Sequence, residues 1–222
     1  MTHGNGSYAL KPVIKIIPYM LNGINGFVDS AILGSNAMIT AQQNVVVIQA
    51  TAPNALTGEF FLSRLVPGNY DVVFTANGHT TTVITAVPVA SNSSIVVFNT
   101  SATPINLPVS ATHFISGTET LNLPSSTEVA YATAKQTLGT TPIITVKSVA
   151  ADDTASGAYT LALPIGAPLL GHYSSSVPIT YVAQSGVAGK YTLEASANGY
   201  QTQSVSTDIS AMDATQNFIL VP

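Results

Sequence analysis

Apolar and polar residues alternate along most of this chain, in short runs. β-Branched and aromatic residues at every second position give a strand one apolar face, and the Gly, Pro, Asn and Ser between the runs favour turns. The pattern predicts strands at 24–29, 44–51, 58–65, 69–76, 80–87, 94–99, 143–149, 157–163, 177–183, 189–196 and 216–221. Helical spacing is nowhere sustained, and one helical turn is predicted, at 209–214. The fold class expected is therefore all-β, built from β-sandwiches.

The strand pattern contains an internal repeat. Gly68, Tyr70 and the run 76–78 (Ala-Asn-Gly) recur 121 positions later as Gly189, Tyr191 and 197–199, and the run 58–62 recurs only 99 positions later at 157–161. The second copy therefore carries an insertion of 22 residues, at about 165–188, which we expect to form a hairpin or a long loop. Two copies predict two sandwiches in series, at 1–103 and 104–222, joined by an extended connection at 101–108.

Each repeated residue has a structural reason. The Asn-Gly pairs at 77–78 and 198–199 predict hairpin turns, because glycine accepts a positive φ at no steric cost. Tyr70, Tyr159 and Tyr191 alternate with polar residues in their strands, so we expect all three to be buried.

These residues also carry a resemblance to a known family. The first copy resembles the carboxypeptidase regulatory-like domain in the order of its runs Thr-Gly-Glu-Phe (57–60), Leu-Val-Pro-Gly-Asn-Tyr (65–70) and Ala-Asn-Gly-His (76–79). The resemblance implies a transthyretin-like (prealbumin-like), Ig-like β-sandwich of about seven strands. It covers 24–100 well and 115–222 more loosely, because the insertion interrupts the second copy.

The stretch at 5–14, Asn-Gly-Ser-Tyr-Ala-Leu-Lys-Pro-Val-Ile, is similar to the tail of the bacterial domain DUF4382. That domain occurs upstream of such sandwiches in lipoproteins. The resemblance implies that an upstream domain, a signal peptide and a lipid-attachment cysteine precede this chain in a larger protein, so that a lipid anchor would lie upstream of it.

Composition narrows the setting. Charged residues make up 7% of the chain and hydrophobic residues 46%, which excludes a disordered chain. Six basic residues against ten acidic ones make nucleic acid an unexpected partner, and no apolar run reaches the length of a membrane span. Cysteine is absent, so the fold has no disulfide. A nearly uncharged surface of Thr, Ser, Asn and Ala is typical of extracytoplasmic modules, in the periplasm or at the cell surface.

Catalytic motifs are missing from the sequence, so we expect neither an enzyme nor a cofactor. The function predicted is a non-catalytic structural, adhesive or protein-binding module of a bacterial cell-surface protein, with a protein or a glycan as partner. The alternative is a carbohydrate-binding module, in which tyrosines must supply the aromatic platform because tryptophan is absent. Its candidate residues are Tyr173, Tyr181, Tyr200 and His172. A weaker alternative is a hydrolase that uses the insertion and His172.

Two further sites are weaker hypotheses. Asp152 and Asp153 are paired carboxylates that suit a calcium ion, although a turn before Gly157 explains them more simply. Related surface sandwiches of Gram-positive bacteria crosslink a Lys to an Asn beside a buried acid, and Lys15, Asn99 and Glu59 could take those roles. The simpler interpretation of Lys15 is a solvated side chain at a strand edge.

Overall fold

A computed structural model describes residues 22–122, 128–152, 157–175 and 178–222. The first strands are β1 (Gly23–Phe27), β2 (Met38–Gln43), β3 (Val46–Thr51), β4 (Glu59–Ser63), β5 (Gly68–Thr75), β6 (Thr82–Val89) and β7 (Ile95–Val97). The later strands are β8 (Thr112–Leu121), β9 (Tyr131–Thr137), β10 (Ile143–Ala150), β11 (Ala158–Pro164), β12 (Leu169–His172), β13 (Tyr181–Ala183), β14 (Lys190–Ser196), β15 (Gln203–Asp208), β16 (Ala214–Thr215) and β17 (Phe218–Leu220). Apart from 3-10 turns at Ser30–Ile32 and Ser185–Val187, these ranges contain no helix. The all-β prediction is confirmed.

The first sandwich packs a sheet in the order β4-β1-β7 against a sheet that contains β6-β5-β2-β3. Alternating side chains of both sheets fill its core, where Tyr70, Phe60 and Phe74 are almost fully buried. The rings of Phe60 and Phe74 meet edge to face at 5.5 Å between centroids, the arrangement that their charge distributions favour.

The second sandwich repeats this plan. Its sheets run β10-β9-β14-β15 and β11-β8-β16, and β17 also pairs with β8. Ile115, Leu161 and Leu193 lie at the centre of its core. The same strand order therefore recurs in both copies, and the turn glycines Gly78 and Gly199 have φ of 73° and 80°, as the Asn-Gly pairs predict.

The insertion of the second copy pairs with the first sandwich. β12 and β13 form an antiparallel pair, and β12 runs parallel to β6, with Leu169 opposite Thr82 and His172 opposite Thr85. One sheet therefore has six strands in the order β13-β12-β6-β5-β2-β3. Strands from both halves of the sequence share this sheet, so the insertion ties the two sandwiches together.

A small apolar cluster lies where the sandwiches meet. Val73 and Val83 on the outer face of β5 and β6 pack with Leu138 and Ile144 of the second sandwich, and all four are at most 1% exposed. Beside them the Gln42 side-chain amide donates to the Thr145 carbonyl at 2.7 Å and accepts from the Thr145 N–H at 2.8 Å. Gln42 thus pairs with the backbone of β10 as a neighbouring strand would.

The connection between the sandwiches packs against the first core. Ile105 and Leu107 are buried there, and Ile105 exchanges backbone hydrogen bonds with Phe27 and Asp29. These contacts hold the connecting segment against the first sandwich.

The predicted helical turn at 209–214 is wrong. This segment is a bend, in which Ile209 is buried and donates its N–H to the Gly189 carbonyl, while the Ser210 N–H bonds to the Asp208 carboxylate. Ile209 is buried because it packs in the core of the second sandwich. Its spacing from Ala214 therefore does not reflect a helix. Strands β2, β8, β9, β12 and β15 are present although the sequence pattern does not predict them.

A search of the described ranges finds no helix long and apolar enough to cross a membrane.

Candidate functional site

A polar pocket of about 600 Å³ opens where the hairpin of β12 and β13, the first sandwich and the second sandwich meet. We call it the polar pocket. Amide, carboxylate, hydroxyl and imidazole side chains converge on it from β2, β5, β6 and β12. Its lining consists of Gln42, Gln43, Asn44, Asn69, Tyr70, Asp71, Thr85, Ala86, Thr141, Pro142, Leu170 and His172.

A bulge between β5 and β6 places Asp71 in this pocket. The strand register shifts between Tyr70 and Val72, and Ala86 across from it has a φ of 57°. The Asp71 carboxylate accepts the backbone N–H of Ala86. Burial raises the pKa of Asp71 and outweighs this hydrogen bond, which lowers it. The carboxylate therefore has a structural role at the bulge and also an oxygen-rich surface toward the pocket.

His172, the candidate of the insertion, enters the pocket from β12. Its Nδ1 lies 3.2 Å from the Thr85 hydroxyl, which also lies 3.3 Å from the Gly171 carbonyl. The exposed imidazole is thus positioned by β6, a strand of the other copy. This placement makes His172 a polar group of the pocket that a ligand can reach.

The three candidate tyrosines lie on two different cores. Tyr173 and Tyr181 are half-buried against the first core, and the Tyr173 ring centroid is 6.0 Å from that of Phe98. Burial raises the pKa of Tyr181 to about 12. Tyr200 packs instead against the second core. The structure therefore places Tyr173 beside His172 on the hairpin and Tyr200 on the other sandwich.

The calcium candidates lie at a turn. The Asp152 N–H donates to the Ala158 carbonyl, and the Asp152 carbonyl accepts from the Gly157 N–H, both at 2.8 Å. Asp153 lies outside the described residues. Among the residues that the structure describes, no group of three His, Asp or Glu side chains could hold a metal.

The crosslinking candidates have other partners. The Asn99 amide donates to the carbonyls of Phe27 and Thr103, and its oxygen accepts from the Phe27 N–H. Glu59 accepts from the side chain of Asn25. Lys15 lies outside the described residues. Asn99 therefore continues the hydrogen bonding of β1 beyond the end of β7.

A second cavity, of about 570 Å³, separates the two sandwiches elsewhere, and we call it the apolar cleft. The outer face of β2, β3 and β5 forms one wall, and β10 with the end of β11 forms the other. Met38, Val47, Val146 and Ala162 supply apolar surface, and Lys147 supplies an ammonium group. Neither Lys147 nor Asp71 was predicted from the sequence, because each is a single polar residue within a strand pattern.

No family model and no curated protein matches the chain, so the resemblances to the carboxypeptidase regulatory-like domain and to DUF4382 remain predictions. Among solved structures, a type II cohesin–X-dockerin complex from Acetivibrio cellulolyticus aligns at 18% identity over 40% of this chain and 58% of that chain, with a TM-score of 0.32. The shaft pilin of Lactobacillus rhamnosus GG aligns at 10% identity over 90% of this chain and 98% of its own, with a TM-score of 0.29. A streptococcal ancillary pilin aligns at 12% identity over 96% and 67%, with a TM-score of 0.28.

This chain spans 58% of the length of the first of these structures. TM-scores of this size do not establish a common topology. The two-sandwich architecture rests on the strand pairing described above.

Proposed function

We propose that this chain is a non-catalytic, extracytoplasmic module of a bacterial cell-surface protein, which acts as a stiff spacer and presents its loops and strand edges to partner proteins. The observation that carries the proposal is the pairing of β12 with β6 across the two sandwiches. A spacer must hold its two ends at a fixed distance. A shared sheet does this, whereas a flexible connection between separate domains does not.

The contacts between the sandwiches support the proposal. The cluster of Val73, Val83, Leu138 and Ile144 is buried, and the paired bonds of Gln42 with Thr145 fix the register of the second sandwich on the first. Apolar packing resists sliding because close-packed side chains have few alternative arrangements. The low charge of the chain supports an extracytoplasmic setting.

Distance measurements between spin labels test the stiffness. Because the chain has no cysteine, single cysteines label it uniquely. Leu56 (92% exposed) and Met212 (70% exposed) lie on different sandwiches, and the double variant Leu56→Cys/Met212→Cys should give one narrow distance distribution. The matched control is Leu56→Cys/Asn92→Cys, with both labels on the first sandwich. A distribution much broader between sandwiches than within one would overturn the spacer role.

We infer a second candidate function, carbohydrate binding, from the polar pocket. Its amides, the Asp71 carboxylate and the His172 imidazole are the groups that bind sugar hydroxyls, and its volume of about 600 Å³ suits an oligosaccharide end. The hydroxyl-rich strand β6 also contributes Thr85. Tyr173 stands next to His172 in the chain and could extend the site.

A glycan array with the purified chain, with and without calcium, tests this function. A specific glycan should bind, and His172→Ala should lose it, while His79→Ala, an imidazole outside the pocket, should retain it. Binding that His172→Ala leaves unchanged, or no binding at all, rejects the polar pocket as a glycan site. Turnover of an ester or glycoside that His172→Ala abolishes would instead favour the hydrolase alternative.

A further inference from the structure

The apolar cleft combines uncovered apolar surface with one unpaired cation. Met38 and Val47 face it and are 41% and 40% exposed, and the partly buried Val146 and Ala162 continue the apolar surface on the other sandwich. Large apolar side chains that line a concave cavity of this size, about 570 Å³, are typical of small-molecule sites.

Lys147 is the charged group of this cleft. The strand register of β10 shifts at a bulge between Thr145 and Lys147, where the strand lines the cleft. The Lys147 ammonium lies 3.4 Å from the Ala162 carbonyl, at the long limit of a hydrogen bond. Among the residues that the structure describes, the lining contains no acidic side chain. Within the described ranges the salt bridge that forms is between Lys135 and Glu194, so no carboxylate of these ranges pairs with Lys147. A half-buried ammonium without an anion is incompletely compensated for its lost hydration.

Polar groups also line the cleft. Thr112 and Ser148 supply hydroxyl groups, and the Ser148 hydroxyl lies 2.8 Å from that of Thr133. The Thr145 hydroxyl donates to the Val45 carbonyl at 2.8 Å, and the His79 Nδ1 donates to the Asn77 carbonyl at 2.9 Å. Hydroxyls can donate to a carboxylate oxygen that the ammonium binds directly. The cleft therefore has a cationic, hydroxyl-bearing wall and a long apolar wall.

We propose that the apolar cleft binds a small amphiphilic carboxylate of the fatty-acid type, with its carboxylate on Lys147 and its alkyl chain against Met38, Val47 and Val146. Charge complementarity selects the head group, because the described residues of the cleft include a cation and no acid. Burial of the alkyl chain supplies the larger part of the affinity. The proposal is independent of the spacer role and of the polar pocket.

Titration of the full ¹⁵N-labelled chain with octanoate, followed by NMR, tests the proposal. Saturable shifts should be confined to backbone amides of the cleft, at 145–148 and 162–163. 1-Octanol, which has the same chain and no charge, should bind at least tenfold more weakly. Octanol that binds as tightly as octanoate, shifts outside the cleft, or the absence of saturation would each overturn the proposal without the use of any variant.

Variants then test the role of the ammonium. Lys147→Met keeps the apolar stem and should lose octanoate affinity at least tenfold while it binds octanol as before, and Lys147→Arg should restore octanoate binding. The matched control is Lys190→Met, because Lys190 is exposed on β14 and bonds to the Gly186 carbonyl outside the cleft. Octanoate binding by Lys147→Met that equals that of the unaltered chain would contradict the assignment of the head-group site.

Discussion

At the scale of single residues, Glu119 is the outlier of the second core. It is 3% exposed, and neither of its carboxyl oxygens has a hydrogen-bond partner among the described residues. Its counterpart in the first copy is Val28. The Val28 N–H donates to the carbonyl of Gly58, the glycine just before β4, and the Glu119 N–H donates in the same way to Gly157, just before β11. An acid therefore stands where the other copy has an apolar side chain. Burial raises its pKa to about 7.

Glu119 should make the protein more stable in acid than at neutral pH. Its pKa is about 7 in the folded state, above the ordinary glutamate value of 4.5, so the folded state holds the proton to higher pH. The contribution of Glu119 to the free energy of unfolding is fully present below pH 4.5. It is lost as the pH rises from 4.5 to 7 and does not change further above pH 7. The total loss is about 3 kcal/mol at 1.36 kcal/mol per pKa unit. Urea unfolding at pH 4.5 and at pH 8 measures it.

The titration of Glu119 can be removed by substitution. Glu119→Gln should flatten the pH dependence, and Glu119→Val, the residue of the first copy, should raise stability at pH 8 by roughly 1–3 kcal/mol, because no charge must be buried. Glu59→Gln, an exposed acid beside the equivalent turn, is the control and should leave the profile as it is. A profile that Glu119→Gln does not change would show that other groups set it.

The burial of individual residues could be predicted where apolar and polar side chains alternate along a strand. Tyr70, Tyr159 and Tyr191 are buried as the alternation predicts, and each hydroxyl finds a backbone carbonyl. Glu119 was not predictable, because a single acid in a strand normally marks the solvent face. Neither Asp71 nor Lys147 carries a local signal either, since the first depends on a bulge and the second on the approach of the other sandwich.

At the scale of strands, two of those that the pattern missed, β9 and β15, have almost no large apolar side chains. The inner face of β9 consists of Ala132, Ala134 and Gln136, which have low β-propensity. Gln136 is accommodated because its amide donates to the carbonyls of Val187 and Lys190. β15 has the sequence Gln-Ser-Val-Ser-Thr-Asp, whose single apolar residue is too weak a signal. Partner strands, rather than local propensity, specify these elements.

The hairpin of β12 and β13 should stabilise a sandwich to which it does not belong in sequence. Leu170 packs against the cluster between the sandwiches, and Val182, directly opposite in the hairpin, is 60% exposed. Leu170→Asp should cost roughly 2–4 kcal/mol, because it places a charge against apolar side chains. Hydrogen exchange of the β6 amides should accelerate accordingly.

Val182→Asp is the matched control for Leu170→Asp. It adds the same charge to the same face of the hairpin, on the edge strand β13, where Val182 is 60% exposed. The change in stability should therefore stay within about 0.5 kcal/mol. If both variants leave β6 equally protected, β12 does not stabilise the first sandwich in solution.

At the scale of the whole molecule, a substitution of Gln42 can test how strongly the two sandwiches are coupled. Gln42 is 1% exposed and satisfies both the N–H and the carbonyl of Thr145. Gln42→Leu leaves both groups unpaired and should cost about 2–6 kcal/mol, at roughly 1–3 kcal/mol for each unsatisfied group. Calorimetry should show one transition for the unaltered chain and a lower or divided transition for the variant. Gln49→Leu, which removes a bond within the first sandwich, should lower the melting temperature without dividing the transition.

The two-sandwich plan followed from the repeat, but its compact arrangement did not. The shift between repeated motifs located the insertion, since it depends on sequence alone. The pairing of β12 with β6 joins residues almost 90 positions apart, such as His172 and Thr85, and no local pattern encodes such a contact. The interface between the sandwiches could not be predicted from the sequence either, because the pattern of β5 and β6 gives no sign that Val73 and Val83 pack against another sandwich.

We propose that each copy is nevertheless a folding unit, with 1–103 and 104–222 as the first approximation of its limits. Ile105 and Leu107 pack in the first core, so a cut after Pro108 separates the copies with least damage. Each half, 1–108 and 109–222, should then unfold cooperatively. Each should also be less stable than the intact chain, because one half exposes Val73 and Val83 while the other has a hairpin without its partner strand.

Mixing the two halves provides the decisive measurement. Backbone pairing of β12 with β6 and the burial of Val83 against Ile144 require no covalent connection, so the halves should associate into a complex whose urea midpoint exceeds that of either half. Leu170→Asp in the second half should weaken this association and Val182→Asp should not, because only Leu170 contacts the shared cluster. Halves as stable as the intact chain that do not associate would show that the sandwiches are independent, and the stiff spacer would lose its physical basis.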